Sequence, residues 1–129
     1  MIVIDASAVV EVLLQTPKGS QVAAALSGQD VVAPELIDVE VLSVAARLVR
    51  SGELTAGDAS DAVRLFRRMP VTRVSHSMLD QRAWDLRDVV RIPDAYYVAC
   101  GEAFTCAVLT SNPTLARTAL PGMSVLLVS

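Results

Sequence analysis

Short apolar runs of strand length alternate with longer stretches of helical periodicity along the chain, and that alternation confines it to an α/β domain. Residues 1–4 (Met1-Ile2-Val3-Ile4) have the pattern of a short buried strand, and helical patterns follow at 7–14 and 20–27. Val31-Val32 fits a second strand. Pro34 stands where a first helical residue is tolerated, and the run through Val49 stops at Ser51-Gly52. The spacing of Thr55 and Asp58 predicts a capping box opening an arginine-bearing helix, and Ser77 and Asp80 predict another ahead of the helix that contains Trp84. Strands are expected at 71–74, 107–110 and 125–128, with a helix from Asp94 to about Ala103 and a short one at 113–118. With 129 residues, 53% of them apolar, the chain is expected to form one domain, residues 1–129, around one well-buried core.

Against this apolar background, Asp5, Glu40 and Asp94 are acids where a fold should not want acids. Asp5 ends the first apolar run, Glu40 lies inside the stretch 36–49, and Asp94 follows Pro93. An ionised carboxylate among Val, Leu and Ile costs several kcal/mol unless something positive accompanies it, and a divalent cation is the strongest such partner. Asn112, after Val108-Leu109-Thr110-Ser111, is the fourth candidate. In an open parallel sheet ligands sit beyond the carboxyl ends of the strands, the edge on which Asp5 and Asn112 fall. Glu40 and Asp94 join them only if their helices face that edge. Three of the four have a plainer role available: Asp5, Asp94 and Asn112 all stand where helix caps stand. Glu40 does not, since capping is closed to a mid-helix residue and Arg47 is too far along to be its i+4 partner.

The remaining chemistry is thinner. Cys100 and Cys106 fit reduced, buried thiols; with one histidine in the chain, no ordinary zinc cluster is available. His76 has no accompanying nucleophile constellation and fits a partly exposed structural or RNA-facing residue. The net charge of −3 does not advertise a nucleic-acid binder, yet ten of the eleven basic residues are arginine. Arg64, Arg67 and Arg68 share a helix face, with Arg73 just beyond, as an RNA-facing patch or as a solvated face paired with nearby acids. Charges break every apolar stretch well short of the roughly 20 residues a membrane span needs, and the start lacks a signal-peptide pattern, so a cytoplasmic protein is expected.

Taken in order, Ile2-Val3-Ile4-Asp5-Ala6-Ser7, Pro34-Glu35-Leu36 through Glu40-Val41-Leu42, Asp94-Ala95-Tyr96-Tyr97-Val98-Ala99 and Leu109-Thr110-Ser111-Asn112 resemble the motifs of the PIN-domain family, specifically its small VapC-type toxins. The resemblance implies a three-layer α/β/α domain with a central parallel sheet, and a Mg²⁺- or Mn²⁺-dependent endoribonuclease paired with a VapB-type antitoxin and forming a toxin homodimer. It makes Asp5, Glu40 and Asp94 the metal-binding acids, with Ser7 and Thr110 positioning substrate or water. Asn112 falls where the family's Thr-x-Asp element usually carries its Asp, and no acid follows Glu102 to replace it. A phosphatase or receiver reading fits less well: both commonly need a lysine near the phosphate, and the chain has only Lys18. A dinucleotide enzyme lacks its glycine motif. The rival is a PIN-like RNA- or antitoxin-binding module with weak or no catalysis, which Asn112 keeps open.

Overall fold

The computed structural model describes residues 1–118, 122 and 124–129. Five strands, β1 (Ile2–Ile4), β2 (Val31–Pro34), β3 (Val71–Val74), β4 (Val108–Thr110) and β5 (Val125–Leu127), form one all-parallel sheet in the order β3-β2-β1-β4-β5. Seven helices among the described residues cover it: α1 (Ala6–Leu13), α2 (Pro17–Leu26), α3 (Leu36–Arg50), α4 (Ala56–Arg68), α5 (Asp80–Asp85), α6 (Ile92–Phe104) and α7 (Pro113–Arg117). No described helix is long and apolar enough to cross a membrane.

The alternation of side chains along a strand divides the core into two. Val3, Val32, Val74 and Val108 pack with residues of α5, α6 and α7, including Ala83, Tyr97, Val98 and Leu115. Ile2, Ile4, Ala33, Val71 and Leu109 pack on the other face with α1 to α4, including Val9, Val22, Ile37 and Phe66. The central strands β2, β1 and β4, buried on both faces, need to be apolar throughout, which explains their Val and Ile content. Gly101 lets α6 lie close: a Cβ there would stand 3.0 Å from Val108 Cγ2 and 3.1 Å from the Cys106 carbonyl.

Several boundaries differ from expectation for identifiable reasons. Pro34 closes β2 rather than opening α3: it lies opposite Val74, and the Glu35 amide donates to the Val74 carbonyl at 3.1 Å. α2 starts at Pro17, earlier than Ser20, because Thr16 caps it by accepting from the Gly19 amide at 3.1 Å. Thr55 caps α4 as expected, accepting from the Asp58 amide at 3.1 Å. The Ser77 box does not form; residues His76–Met78 make a 3₁₀ turn, Leu79 precedes α5 without a side-chain cap, and the Ser77 hydroxyl pairs with that of Ser75. α6 begins at Ile92, which puts Pro93 and Asp94 in its first turn.

Strand order reverses at β1. Chain leaving β1 winds toward β2 and β3, whereas β4 and β5 lie on its other side, so a crevice opens beyond the carboxyl ends of β1 and β4. Asp5 and the Ser111-Asn112 turn both lie there.

Candidate active site

Asp5 leaves β1 in extended conformation and caps α1, its Oδ1 accepting from the Ala8 amide at 3.0 Å and from Ser7 Oγ at 2.7 Å. Its Oδ2 accepts from Thr110 Oγ1 at 2.5 Å. Both hydroxyl protons are thereby directed at the carboxylate, so the 3.2 Å approach of Ser7 Oγ to Thr110 Oγ1 is a contact between two acceptors. Those acceptors are used in turn. The Ser111 amide donates to Ser7 Oγ at 3.0 Å and the Asn112 amide to Thr110 Oγ1 at 2.9 Å, which ties the turn after β4 to the residue after β1. Burial pushes the Asp5 pKa above the ordinary carboxylate value; the bonds from Thr110, Ala8 and Ser7 oppose this, and the charge of Asp94 adds to it.

Glu40 is half-buried on α3, and its Oε1 accepts from the Tyr97 hydroxyl at 2.6 Å. Its pKa is also raised, first by desolvation; the Tyr97 bond opposes, Asp5 and Asp94 add to the rise, and Arg91 lowers it. Tyr97, buried in the core, has its own pKa pushed far up by burial and by the adjacent Glu40, so it stays a proton donor. The environment of Glu40 is less apolar than its sequence neighbours suggest, because Val39 is 67% and Leu42 is 47% exposed while Ile37 and Val41 face the core. Asp94 is buried in the first turn of α6, and Arg91 Nε stands 3.5 Å from its Oδ2.

The three acids therefore lie near enough for the charges of Asp5 and Asp94 to act on Glu40 and that of Asp94 to act on Asp5. Among the described residues no three acidic, histidine or cysteine side chains close into a ligand cage. Every fully buried side-chain polar atom among the described residues has a hydrogen-bond partner, and the fold satisfies Asp5 and Glu40 with hydroxyls. The donor set is nevertheless what a hard divalent cation takes: carboxylate oxygens, with hydroxyls beside them. Carboxylates that raise one another's proton affinity are relieved by the same ion.

The model of the PIN domain family matches residues 2–120. The chain belongs to the PIN-domain family. This PIN domain is 40% identical over 117 residues to "Ribonuclease VapC3" of Mycobacterium tuberculosis, covering 90% of this chain and 85% of the relative. It is 37% identical over 118 residues to "VapC ribonuclease Mb0985" of Mycobacterium bovis, covering 92% and 91%. With "Ribonuclease VapC12" of Mycobacterium tuberculosis it shares 37% over 117 residues, 91% of each. The resemblance to VapC-type PIN toxins and the three-layer α/β/α expectation are both borne out.

Not every candidate reaches the crevice in the form expected. Asn112 caps α7, its Oδ1 accepting from the Thr114 amide at 3.0 Å, so the carbonyl read as a substitute ligand is engaged by the helix. Arg64, Arg67 and Arg68 lie in the last turns of α4, which run into the amino end of β3, the edge opposite the acids. Arg64 pairs with Asp61, and Arg67 lines a hollow with Met1, Gln29, Asp30 and Pro70. Arg73 bonds Asp38 Oδ1 at 2.7 Å and the Val71 carbonyl at 2.8 Å, with its guanidinium 5.0 Å above the Phe66 ring. Helical spacing identified a shared face but carries no information about which end of the sheet that face adjoins.

Two residues at the acids were not singled out as candidates. Tyr97 is three residues after Asp94 and Arg91 three before it, the spacing that brings side chains to one side of a helix. His76 resolves as structural. Its Nε2 accepts from the Leu36 amide at 2.9 Å and its own amide donates to Glu35 Oε1 at 3.1 Å, a reciprocal cap across 40 and 41 residues of sequence that seats the start of α3 on the end of β3. Its ring packs 4.5 Å from that of Tyr96. Cys100 is buried, with its thiol pushed up to about 12 by desolvation, and Cys106 is partly exposed rather than buried.

Proposed function

We propose that this PIN domain is a Mg²⁺- or Mn²⁺-dependent endoribonuclease toxin that hydrolyses RNA phosphodiester bonds and is neutralised by a VapB-type antitoxin. What supports the reading is that Asp5, buried beyond β1 where strand order reverses, and Asp94 of α6 both act by charge on Glu40 of α3. Relatives named as ribonucleases across nine-tenths of the chain support the same activity. Asp5, Glu40 and Asp94 would hold the cation, which supplies an activated water and neutralises charge on the phosphate.

The chain's own contribution is positional. Thr110 and Ser7 hold both oxygens of Asp5 while their oxygens fix the Ser111-Asn112 turn, so the carboxylate is preorganised by a shell reaching across the crevice. Tyr97 orients Glu40 through one oxygen and leaves the other for the crevice. Asp94 sits where the amide dipoles of the first turn of α6 favour a negative charge. The cytoplasmic location, the antitoxin and a toxin homodimer belong to the same reading.

The deciding experiment is incubation of the purified protein with total cellular RNA in Mg²⁺, Mn²⁺ or EDTA, followed by end mapping. Discrete cleavage sites that vanish in EDTA are expected. Intact RNA with either metal overturns the nuclease reading. If RNA is retained on the protein uncut, the second reading, a binding module with weak or no catalysis, takes its place; the engagement of Asn112 as a cap is the observation that favours it.

A further inference from the structure

Among the described residues, Arg91 is the cation beside Asp94 whose charge also lowers the Glu40 pKa, and its side chain is used differently from those of Arg73 and Arg82. Arg73 makes three hydrogen bonds and Arg82 two, both bonds of Arg82 going to the Glu102 carboxylate. The Arg91 guanidinium makes no hydrogen bond to any described residue. Its Nε approaches Asp94 Oδ2 only to 3.5 Å, and its side chain is 71% exposed where that of Asp94 is 11% exposed. The residue precedes α6 in extended conformation, at the mouth of the helix whose first turn holds Asp94. Its positive charge is felt by Glu40 as well. One edge of the guanidinium therefore lies beside Asp94, and the rest of a planar fork of donors faces solvent.

An exposed i,i+3 ion pair contributes little to stability, so the pair by itself does not explain a guanidinium held beside Asp94. A phosphodiester entering the crevice explains it. The phosphate must approach a strongly negative site, and a fork of N–H groups matches two phosphate oxygens in a way that a point charge does not.

We propose that Arg91 is the substrate-phosphate contact of this site, gripping the non-bridging oxygens of the RNA phosphate that lies over Asp5, Glu40 and Asp94. The inference rests on the ribonuclease reading for its substrate, but its test reads binding as well as cleavage.

The experiment compares wild type, Arg91→Gln and Arg91→Lys for equilibrium binding of a mixed-sequence single-stranded RNA oligonucleotide across a salt series. Binding is measured in EDTA, so that nothing is cut; kcat and KM for the same oligonucleotide are measured in Mn²⁺, and melting temperatures alongside. Loss of one phosphate contact lowers the slope of log affinity against log salt by about 0.7 for single-stranded nucleic acid. Arg91→Gln is expected to show that fall, with affinity about tenfold weaker at low salt. Arg91→Lys should recover the slope but only part of the cleavage, because it keeps the charge and loses the fork. Superimposed salt series for wild type and Arg91→Gln, with unchanged KM, overturn the proposal, as does wild type that binds no RNA. A lower melting temperature alone assigns Arg91 to the fold and also overturns it. Wild type that binds with an Arg91-dependent slope and cuts nothing overturns the ribonuclease reading instead, and leaves the contact standing.

Discussion

The two ends of the sheet treat charge in opposite ways. At the amino end, the last turns of α4 carry Arg64, Arg67 and Arg68 in solvent; Arg64 pairs with Asp61, both side chains about two-thirds exposed. At the carboxyl end, Asp5 and Asp94 are buried and Glu40 half-buried, with the proton affinities of Asp5 and Glu40 raised and Arg91 beside Asp94. Water screens the first set, which contributes little either way. The second set costs the fold stability, and Tyr97, Thr110 and Ser7 offset that only in part. An arrangement that a fold maintains at a cost is better evidence of chemistry than one it maintains for nothing, even though the amino end carries the larger share of conspicuous charge.

The sharpest attack on this contrast is Glu40→Gln. It keeps an acceptor for Tyr97 and removes a charge, so RNA cleavage is expected to fall by a hundredfold or more on the order of a lost transition-state contact, while the metal-free protein melts higher. The sign with pH follows from the raised pKa values of Glu40 and Asp5. The folded state holds these protons more tightly than the unfolded one, so their contribution is full below the ordinary carboxylate value and is lost as pH rises through the raised value. Wild-type melting temperature in EDTA should drop over that interval, and less so in Glu40→Gln. Asp5→Ala is a poorer probe, since Asp5 also caps α1 and its removal costs about 1 kcal/mol from the cap alone.

A smaller effect separates the two residues at the end of β4. Thr110→Val deprives both Asp5 Oδ2 and the Asn112 amide of a partner and should cost about 1–3 kcal/mol in denaturant titration, together with cleavage. Asn112→Ala should cost about 1 kcal/mol, the value of a cap, with a metal titration superimposable on wild type. A shifted titration would return Asn112 to the site. The smallest effect belongs to the amino end, where joint replacement of Arg64, Arg67 and Arg68 by Gln should change stability by less than about 0.5 kcal/mol per site and leave cleavage unchanged. If cleavage or RNA affinity collapses there, the contrast fails.

The strands and their faces were legible because alternation forces Ile2, Ile4 and Leu109 to one side and Val3 and Val108 to the other. Asp5 and Asp94 were legible as well, since an acid that ends an apolar strand or opens a helix has a defined place in such a sheet. What stayed hidden was pairing across the chain. Tyr97 reaches Glu40 over 57 residues and His76 reaches Leu36 over 40, distances at which no local periodicity operates. The arginines misled for the same reason, as did Ser77, whose helix-start spacing lost to a 3₁₀ turn held by the long-range seat of His76 on Glu35 and Leu36.

The bond from Thr110 to Asp5 spans 105 residues of sequence. β1 lies at the centre of the sheet, and its neighbour β4 is made long after it. Until β4 docks, Asp5 lacks the hydroxyl on its Oδ2 and the crevice lacks its second wall. The candidate site is thus assembled from segments far apart in sequence, and it is complete only once β4 has paired with β1.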